Sequence, residues 1–384
     1  MTFPVEPGLN PPAPCLCRAS VWTRHPPPEP LNSALWSSVA TSLEPFPYRP
    51  MKNYDLYAIG NALVDSDYEV TEAHLEAMGV AKRHMTLMDA NRRDELMGHV
   101  SQLSSRRNGG GSAGNTVVAL SQLGGRAFYS CRVADDELGA FYRENLLDNG
   151  VSSNLTRASL APGQTGICMV MVTPDAERSM STFLGATADL DATALHADEL
   201  AQSSVYYMEG YLSASPTGLD AALQGRQIAK DAGVLLASTL SDVTMINFCR
   251  PGLEAMVGDG LDYLFCNEEE AQVWCASQDI QVITNQVSQL ARTVCLTRSA
   301  LGCIVLEGGQ QTAVPAAPVK AIDTNGAGDM FAGAFLYAVT HGYSAVDAAW
   351  LANQCAGQVV SQYGNRLNAD VLGAIRTRFE QRPN

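Results

Sequence analysis

No apolar, uncharged run in the chain approaches the ~18 residues that would mark a membrane span. Cationic charge is also scarce: 25 Lys and Arg stand against 40 Asp and Glu, a net charge of −15. A nucleic-acid footprint, which needs a clustered cationic surface, is therefore not expected, nor is a membrane partner. Small anions held by a few local donors remain compatible with that charge. The ten cysteines include no C-x-x-C and no Cys/His cluster, and most occur singly in apolar stretches such as Ile167-Cys168-Met169-Val170. They read as buried reduced thiols, and a disulfide scaffold does not suit 384 residues. The sequence has no G-x-x-x-x-G-K-[ST] P-loop and no G-x-G-x-x-G after its first strand, which removes P-loop and nicotinamide chemistry.

Proline is unevenly spread, with twelve of the 19 inside residues 1–50. Proline fixes φ and removes a backbone donor, so this segment is expected to form no sustained helix or central strand. It has no basic stretch followed by an apolar core, as a secretory signal would, and too few arginines for a transit peptide. Residues 1–50 are thus expected to be a disordered extension with Met51 as the working start. A proline-rich recognition segment is the alternative. The expected location is the cytoplasm.

From Met51 the chain alternates short apolar runs with helical patterns. Tyr54–Ile59, Val205–Glu209, Val234–Ala237 and Leu261–Cys266 read as strands, and 115–123, 217–232 and 268–277 as helices. That rhythm predicts an α/β fold with a mostly parallel central sheet and helices on both faces. Residues 62–89 and 164–184 break the rhythm, the latter as a hairpin, and are expected to form a small β-rich lid. Thr293–Leu306 followed by Gln311–Val319 reads as antiparallel edge strands.

Four stretches carry chemistry. In Asp323-Thr324-Asn325-Gly326-Ala327-Gly328-Asp329 a tight small-residue turn opens into a helix, so the N–H groups of Asn325, Gly326, Ala327 and Gly328 could line an anion hole. Asp329 is there either a first-turn acid favoured by the helix dipole or a general base. Asn108–Asn115 is glycine-rich and leads into a helix, with Gly111 and Asn115 facing either a structural turn or a polar ligand. Asn267-Glu268-Glu269-Glu270 ends a strand and opens a helix, as an N-cap or as a site that organises water around Mg²⁺. Gly60-Asn61-Ala62-Leu63-Val64-Asp65 places an amide and a carboxylate just past the first strand, where open parallel sheets bind ligands.

Together and in this order these stretches resemble the ribokinase-like (PfkB) carbohydrate and nucleoside kinases, over residues 53–375. The resemblance implies a three-layer α/β/α sandwich with a lid, ATP as phosphoryl donor and Mg²⁺ near Asn267 and Glu270. It makes Asp329 the base acting on a CH₂OH group and puts Asn61, Asp65, Gly111 and Asn115 on the substrate. It also makes Arg178 a clamp on the transferring phosphate and puts Thr297, Gly302 and Asn353 beside the nucleotide. A K⁺ site at Asp323 and a monomer or a homodimer through the lid follow from the same likeness. Asn325, the Gly60–Asp65 opening and Leu264–Glu268 look most like adenosine kinases, in which Tyr211 would sit near the base; a core tyrosine is the alternative. Two departures are Ser112-Ala113-Gly114, and Ser299 where the family has the first glycine of T-x-G-x-x-G. A free-sugar kinase is the second expectation, and a binding protein without turnover the third.

Overall fold

The computed structural model describes residues 52–82, 85–175 and 177–382. The expectation of a disordered extension before Met51 lies outside these residues. Among them the chain forms fourteen strands in two sheets.

The large sheet starts with β1 (Tyr54–Ile59), whose residues are almost all buried. It adds β5 (Ala127–Ser130) and β6 (Ser152–Ser153) on one side. On the other side lie β9 (Ser203–Met208), β10 (Leu235–Thr239), β11 (Leu261–Asn267) and β12 (Ala291–Thr297). Every one of these pairings is parallel. β13 (Cys303–Glu307) and β14 (Gln310–Val314) close the edge antiparallel, as the sequence led one to expect. The central strands are mostly apolar because helices cover both faces. On one face the helices Ser112–Gln122, Ala327–Thr340, Ala345–Val360 and Ala369–Glu380 pack around Phe331, Phe335 and Leu351. On the other, Pro216–Asp231, Val243–Val257, Glu268–Cys275 and Ile280–Val287 enclose Met208, Leu264 and Ile283. Strand order reverses beside β1, and in such sheets the crevice at the carboxyl ends next to the reversal is where ligands bind.

The small sheet runs β3–β8–β7–β2–β4. Its strands are β2 (Leu63–Glu69), β3 (Met85–Leu87), β4 (Ser105–Gly110), β7 (Gly166–Val172) and β8 (Arg178–Phe183). Strict alternation along β2 separates two faces. Tyr68, Ile167, Met169 and Met171 form a core of their own with Leu75, Leu96 and Val100 from the helices Glu72–Ala77 and Ala90–Val100. The opposite face carries one aligned row: Asn108, Asp65, Cys168, Thr182 and Leu87 are successive register partners across all five strands. β4 was not anticipated from the sequence, because Ser-Arg-Arg-Asn-Gly-Gly has no apolar alternation and is an edge strand held by β2 alone.

The turn between β12 and β13 bears on the missing glycine. Ser299 takes φ +49°, a left-handed conformation in which L side chains crowd the backbone, while Gly302 takes φ +86°. A Cβ on Gly302 would fall 2.1 Å from the Val314 carbonyl oxygen. Ser299→Gly should therefore stabilise the protein by about 0.5–1 kcal/mol, relief of strain exceeding the added chain entropy. Gly302→Ala should cost about 3 kcal/mol, from strain and a backbone clash. Denaturant midpoints of the two variants check both signs.

Candidate active site

The site is assembled from segments far apart in the chain. The sharpest is the loop before the helix Ala327–Thr340. Gly326 caps that helix in a left-handed conformation, φ +74°, and has no room for a side chain: a Cβ would lie 2.6 Å from Asn365 Cβ. Gly328, two residues further on, faces open space. Neither glycine spends its N–H on another backbone carbonyl, whereas Asn325 N–H donates to Asp323 Oδ1 at 3.1 Å and Ala327 N–H to the Thr324 carbonyl. Of the four donors expected to line an anion hole, Asn325 and Ala327 are thus turned inward.

Asp329 follows on the first turn. Ser112 Oγ donates to its Oδ1 at 2.6 Å, and Asn115 Nδ2 to its Oδ2 at 3.0 Å. Burial raises its pKa, against these two hydrogen bonds and the Arg366 guanidinium, which lower it. The helix carrying Ser112 and Asn115 begins at Ser112, three residues before the apolar periodicity predicted. Gly111, φ +86°, offers it no side-chain cap. The buried carboxylate of Glu209 substitutes, accepting from Ala113 N–H at 2.9 Å. Its other oxygen accepts from Asn61 Nδ2 at 2.9 Å, so one carboxylate from the end of β9 holds both the post-β1 turn and the helix start. Thr187 completes the turn by donating to Asn61 Oδ1 and accepting from Ala62 N–H.

Asp65 projects from β2, where Asn365 Nδ2 donates to its Oδ2 at 2.7 Å. Burial, opposed by Arg366 and reinforced by the charges of Asp67 and Asp329, lifts its pKa to about 7. Gly110 lies so close beneath that a Cβ there would sit 2.3 Å from Asp65 Oδ1. Asp65, Asp329, Asn61, Gly111 and Asn115, all named from the sequence, are therefore joined by one network. Its remaining members, Glu209, Ser112, Asn365 and Arg366, were missed by sequence reasoning.

Other expected residues are engaged differently. Arg178 Nη1 pairs with Asp323 Oδ2 at 3.0 Å, and its guanidinium lies over the Tyr363 ring. Asp323 Oδ2 also accepts from Gly364 N–H. Its carboxylate is filled by donors, so a K⁺ ion there would have to use main-chain oxygens. Asn267 and Glu270 form a reciprocal capping box: Glu270 N–H donates to Asn267 Oδ1, and Asn267 N–H and Nδ2 donate to Glu270. Burial raises Glu270 to about 7, and nearby Asp242 and Glu269 add to the effect. Both Glu270 oxygens accept from Asn267, and Asn267 is the exposed member of the pair, so an ion here would be met through its hydration shell rather than by direct ligation. Among the described residues no group of three or more His, Cys, Asp or Glu is placed to ligate a metal directly. Tyr211 donates its hydroxyl to Asp242 Oδ2 at 3.0 Å. Asn353 spends its amide on the carbonyls of Val314 and Pro315, and Thr297 its hydroxyl on that of Cys266.

A cleft of about 670 Å³ opens at the far end of the small sheet, lined by Leu87, Thr182, Phe183, Leu184, Ala186 and Asp189 among others. It borders the short helical turn Gly185–Asp189 that carries Thr187.

Comparison with known proteins identifies the family. The profile described as pfkB family carbohydrate kinase matches residues 73–371. The crystal structure of adenosine kinase from Sinorhizobium meliloti superposes with a TM-score of 0.77 at 34% identity, covering 85% of this chain and 99% of that one. Adenosine kinase of Saccharomyces cerevisiae is 26% identical over 318 residues, 75% of this chain and 89% of its own length. Fructokinase-1 of Zea mays is 25% identical over 272 residues, 66% of this chain and 83% of its own length.

The raised carboxyls imply a pH dependence. Burial lifts Glu209 to about 7, as it does Asp65. A carboxyl whose folded pKa is raised holds more protons folded than unfolded. Its contribution to stability is thus full below the unfolded value near ~4 and lost as pH rises through ~7. Thermal midpoints of the unliganded protein should fall between about pH 4.5 and 7 and level off above. Glu209→Gln should flatten that slope by one group's share, at most about 1.4 kcal/mol per pH unit. A wild-type midpoint that rises across the window would contradict the burial of these groups.

Proposed function

We propose that this chain, which belongs to the pfkB family of carbohydrate kinases, phosphorylates the 5′-hydroxyl of a purine nucleoside, adenosine first, using ATP. The observation that carries the nucleoside reading is the row across the small sheet. Asp65 supplies a carboxylate able to grip vicinal hydroxyls. The next three strands continue the row with the uncharged Cys168, Thr182 and Leu87; the first two are buried and Leu87, 62% exposed, lies beside the large cleft. At the ordinary strand spacing the row spans about 14 Å. That length and polarity fit a sugar gripped at one end with a flat, apolar base laid along the rest; a single hexose would leave most of the row uncovered. Tyr211, fixed through its hydroxyl on Asp242, is the aromatic on which the base would stack.

In this reading Asp329 takes the proton of the attacking hydroxyl, and Ser112 and Asn115 hold its carboxylate in place while it does so. Gly326 and Gly328 offer their unspent N–H groups to the transferring phosphoryl oxygens at the positive end of a helix. Asn61, Gly111 and Asp65 place the sugar. Asn267 and Glu270 would hold hydrated Mg²⁺, which supplies charge neutralisation on the donor phosphates when bound. Asp242 and the Glu268–Arg298 ion pair stand beside that turn. Thr297, Gly302 and Asn353 then shape the floor under the nucleotide through the backbone they hold, and Arg178 closes the small sheet onto the anion loop through Asp323.

The test is ADP release by the full chain with ATP and Mg²⁺ across adenosine, inosine, guanosine, cytidine, ribose, fructose and 2-keto-3-deoxygluconate. Adenosine should exceed the free sugars in kcat/KM by about 100-fold or more, since a stacked base contributes several kcal/mol. Turnover confined to a free sugar would keep the kinase and sink the nucleoside pocket. Asp329→Asn should lower kcat by about 10³-fold while adenosine still binds, as expected for loss of a general base. Near-normal turnover in that variant would remove Asp329 from its role.

A further inference from the structure

Two consecutive residues reach both site carboxylates. Asn365 donates to Asp65, as described, and Arg366 Nε donates to Asn115 Oδ1 at 3.1 Å. Asn115 in turn donates from Nδ2 to Asp329 Oδ2. A guanidinium has five donors and no acceptor, so Arg366 can hold only the oxygen end of the Asn115 amide. The NH₂ end must then face Asp329. Without Arg366 the amide could turn, and its oxygen would face the carboxylate and favour the protonated acid. Arg366 is itself tied down. Nη1 donates to Asn145 Oδ1, and Nη2 lies shielded from solvent against Gly109, where a Cβ would fall 2.9 Å from it.

The groups facing this guanidinium are the carboxylates of Asp65 and Asp329 and the phenols of Tyr129 and Tyr142. Asp67 faces Asp65 from the same strand, and Tyr207 and Glu209 face Asp329 from β9 and its end. Arg366 is the cation that acts on both site carboxylates.

We propose that Arg366 is a positioning residue for phosphoryl transfer. It orients the Asn115 amide so that Asp329 meets only donors from the protein, and its charge favours the ionised form of both Asp65 and Asp329 against the burial that opposes it. This rests on Asp329 being the base. The role differs from substrate contact: Arg366 acts through Asn115, and its loss should be read first in a proton equilibrium.

The measurement is the pH profile of kcat/KM for the preferred substrate in Arg366→Met, Arg366→Lys and Asn145→Leu, beside wild type. In Arg366→Met the acid limb should move up by about one pH unit or more, so that activity falls far more at pH 6 than at pH 8.5. Arg366→Lys keeps the charge and loses the fork, so it should recover part of the limb. Asn145→Leu loosens the guanidinium and should shift the limb in the same direction by less. If Arg366→Met does not fold, the other two variants carry the test. An acid limb unmoved in every folded variant, with activity lowered evenly across pH, would overturn the proposal and leave Arg366 a packing residue. Asp329→Asn separates the two failures: if it stays active the base assignment is wrong, and if it is inactive while the limbs stay fixed only the role of Arg366 is wrong.

Discussion

Placing two carboxylates in one partly dry pocket is the constraint on which the rest of this structure depends. Asp65 and Asp329 each raise the other's cost of ionisation, and burial raises it further. The protein offsets this with one arginine, two asparagines and a serine hydroxyl, drawn from two distant parts of the chain. Asn365 and Arg366 sit on the loop after the helix Ala345–Val360, Asn115 and Ser112 on the helix after β4, and Asp65 on the small sheet. No single element can be shifted without unpairing a buried polar group, and unpaired buried groups are costly.

The same logic explains why a third carboxylate, Glu209, stands at the end of β9. The helix start at Ser112 has only glycine before it, so its first N–H groups lack a side-chain cap. Glu209 accepts one of them and also fixes Asn61, which aligns the ends of β1 and β9 with the helix. Gly60, Gly111 and Gly326 are then required for close approach, since each would place a Cβ under 3 Å from a neighbour. The small sheet has a core of its own, and the Arg178–Asp323 pair joins it to the anion loop. Phosphoryl transfer is mainly positioning and electrostatics, so a rigid, polar, well-paired site is what the chemistry needs.

Much of this was legible in the sequence. The strand Tyr54–Ile59 is as predicted, because a run of six with five apolar residues, bounded by Gly-Asn, admits little else. The α/β rhythm, the antiparallel edge and the loop 323–329 into its helix also follow from periodicity and from small residues at a helix start. The ribokinase-like fold matches the TM-score of 0.77 with the Sinorhizobium meliloti structure. What could not be read is set by distance along the chain. Asn365 and Arg366 find their partners 300 and 251 positions away, in a loop that has no periodicity and no motif of its own. Glu209 did leave a signal, an acid closing an otherwise apolar strand, but its role appears only once Ala113 and Asn61 lie beside it. At Asn267 the structure bears out the structural reading of the motif, a reciprocal capping box with Glu270.

The most direct measurement is a carboxyl-carbon NMR titration of aspartate-labelled protein, with Asp65→Asn and Asp329→Asn to assign the two resonances. Burial should leave Asp65 titrating near 7 even with the Arg366 guanidinium beside it, and if the two carboxylates share that guanidinium both midpoints should rise further when Arg366 is replaced by methionine. An Asp65 midpoint near the ordinary ~4, indifferent to Arg366, would contradict the account.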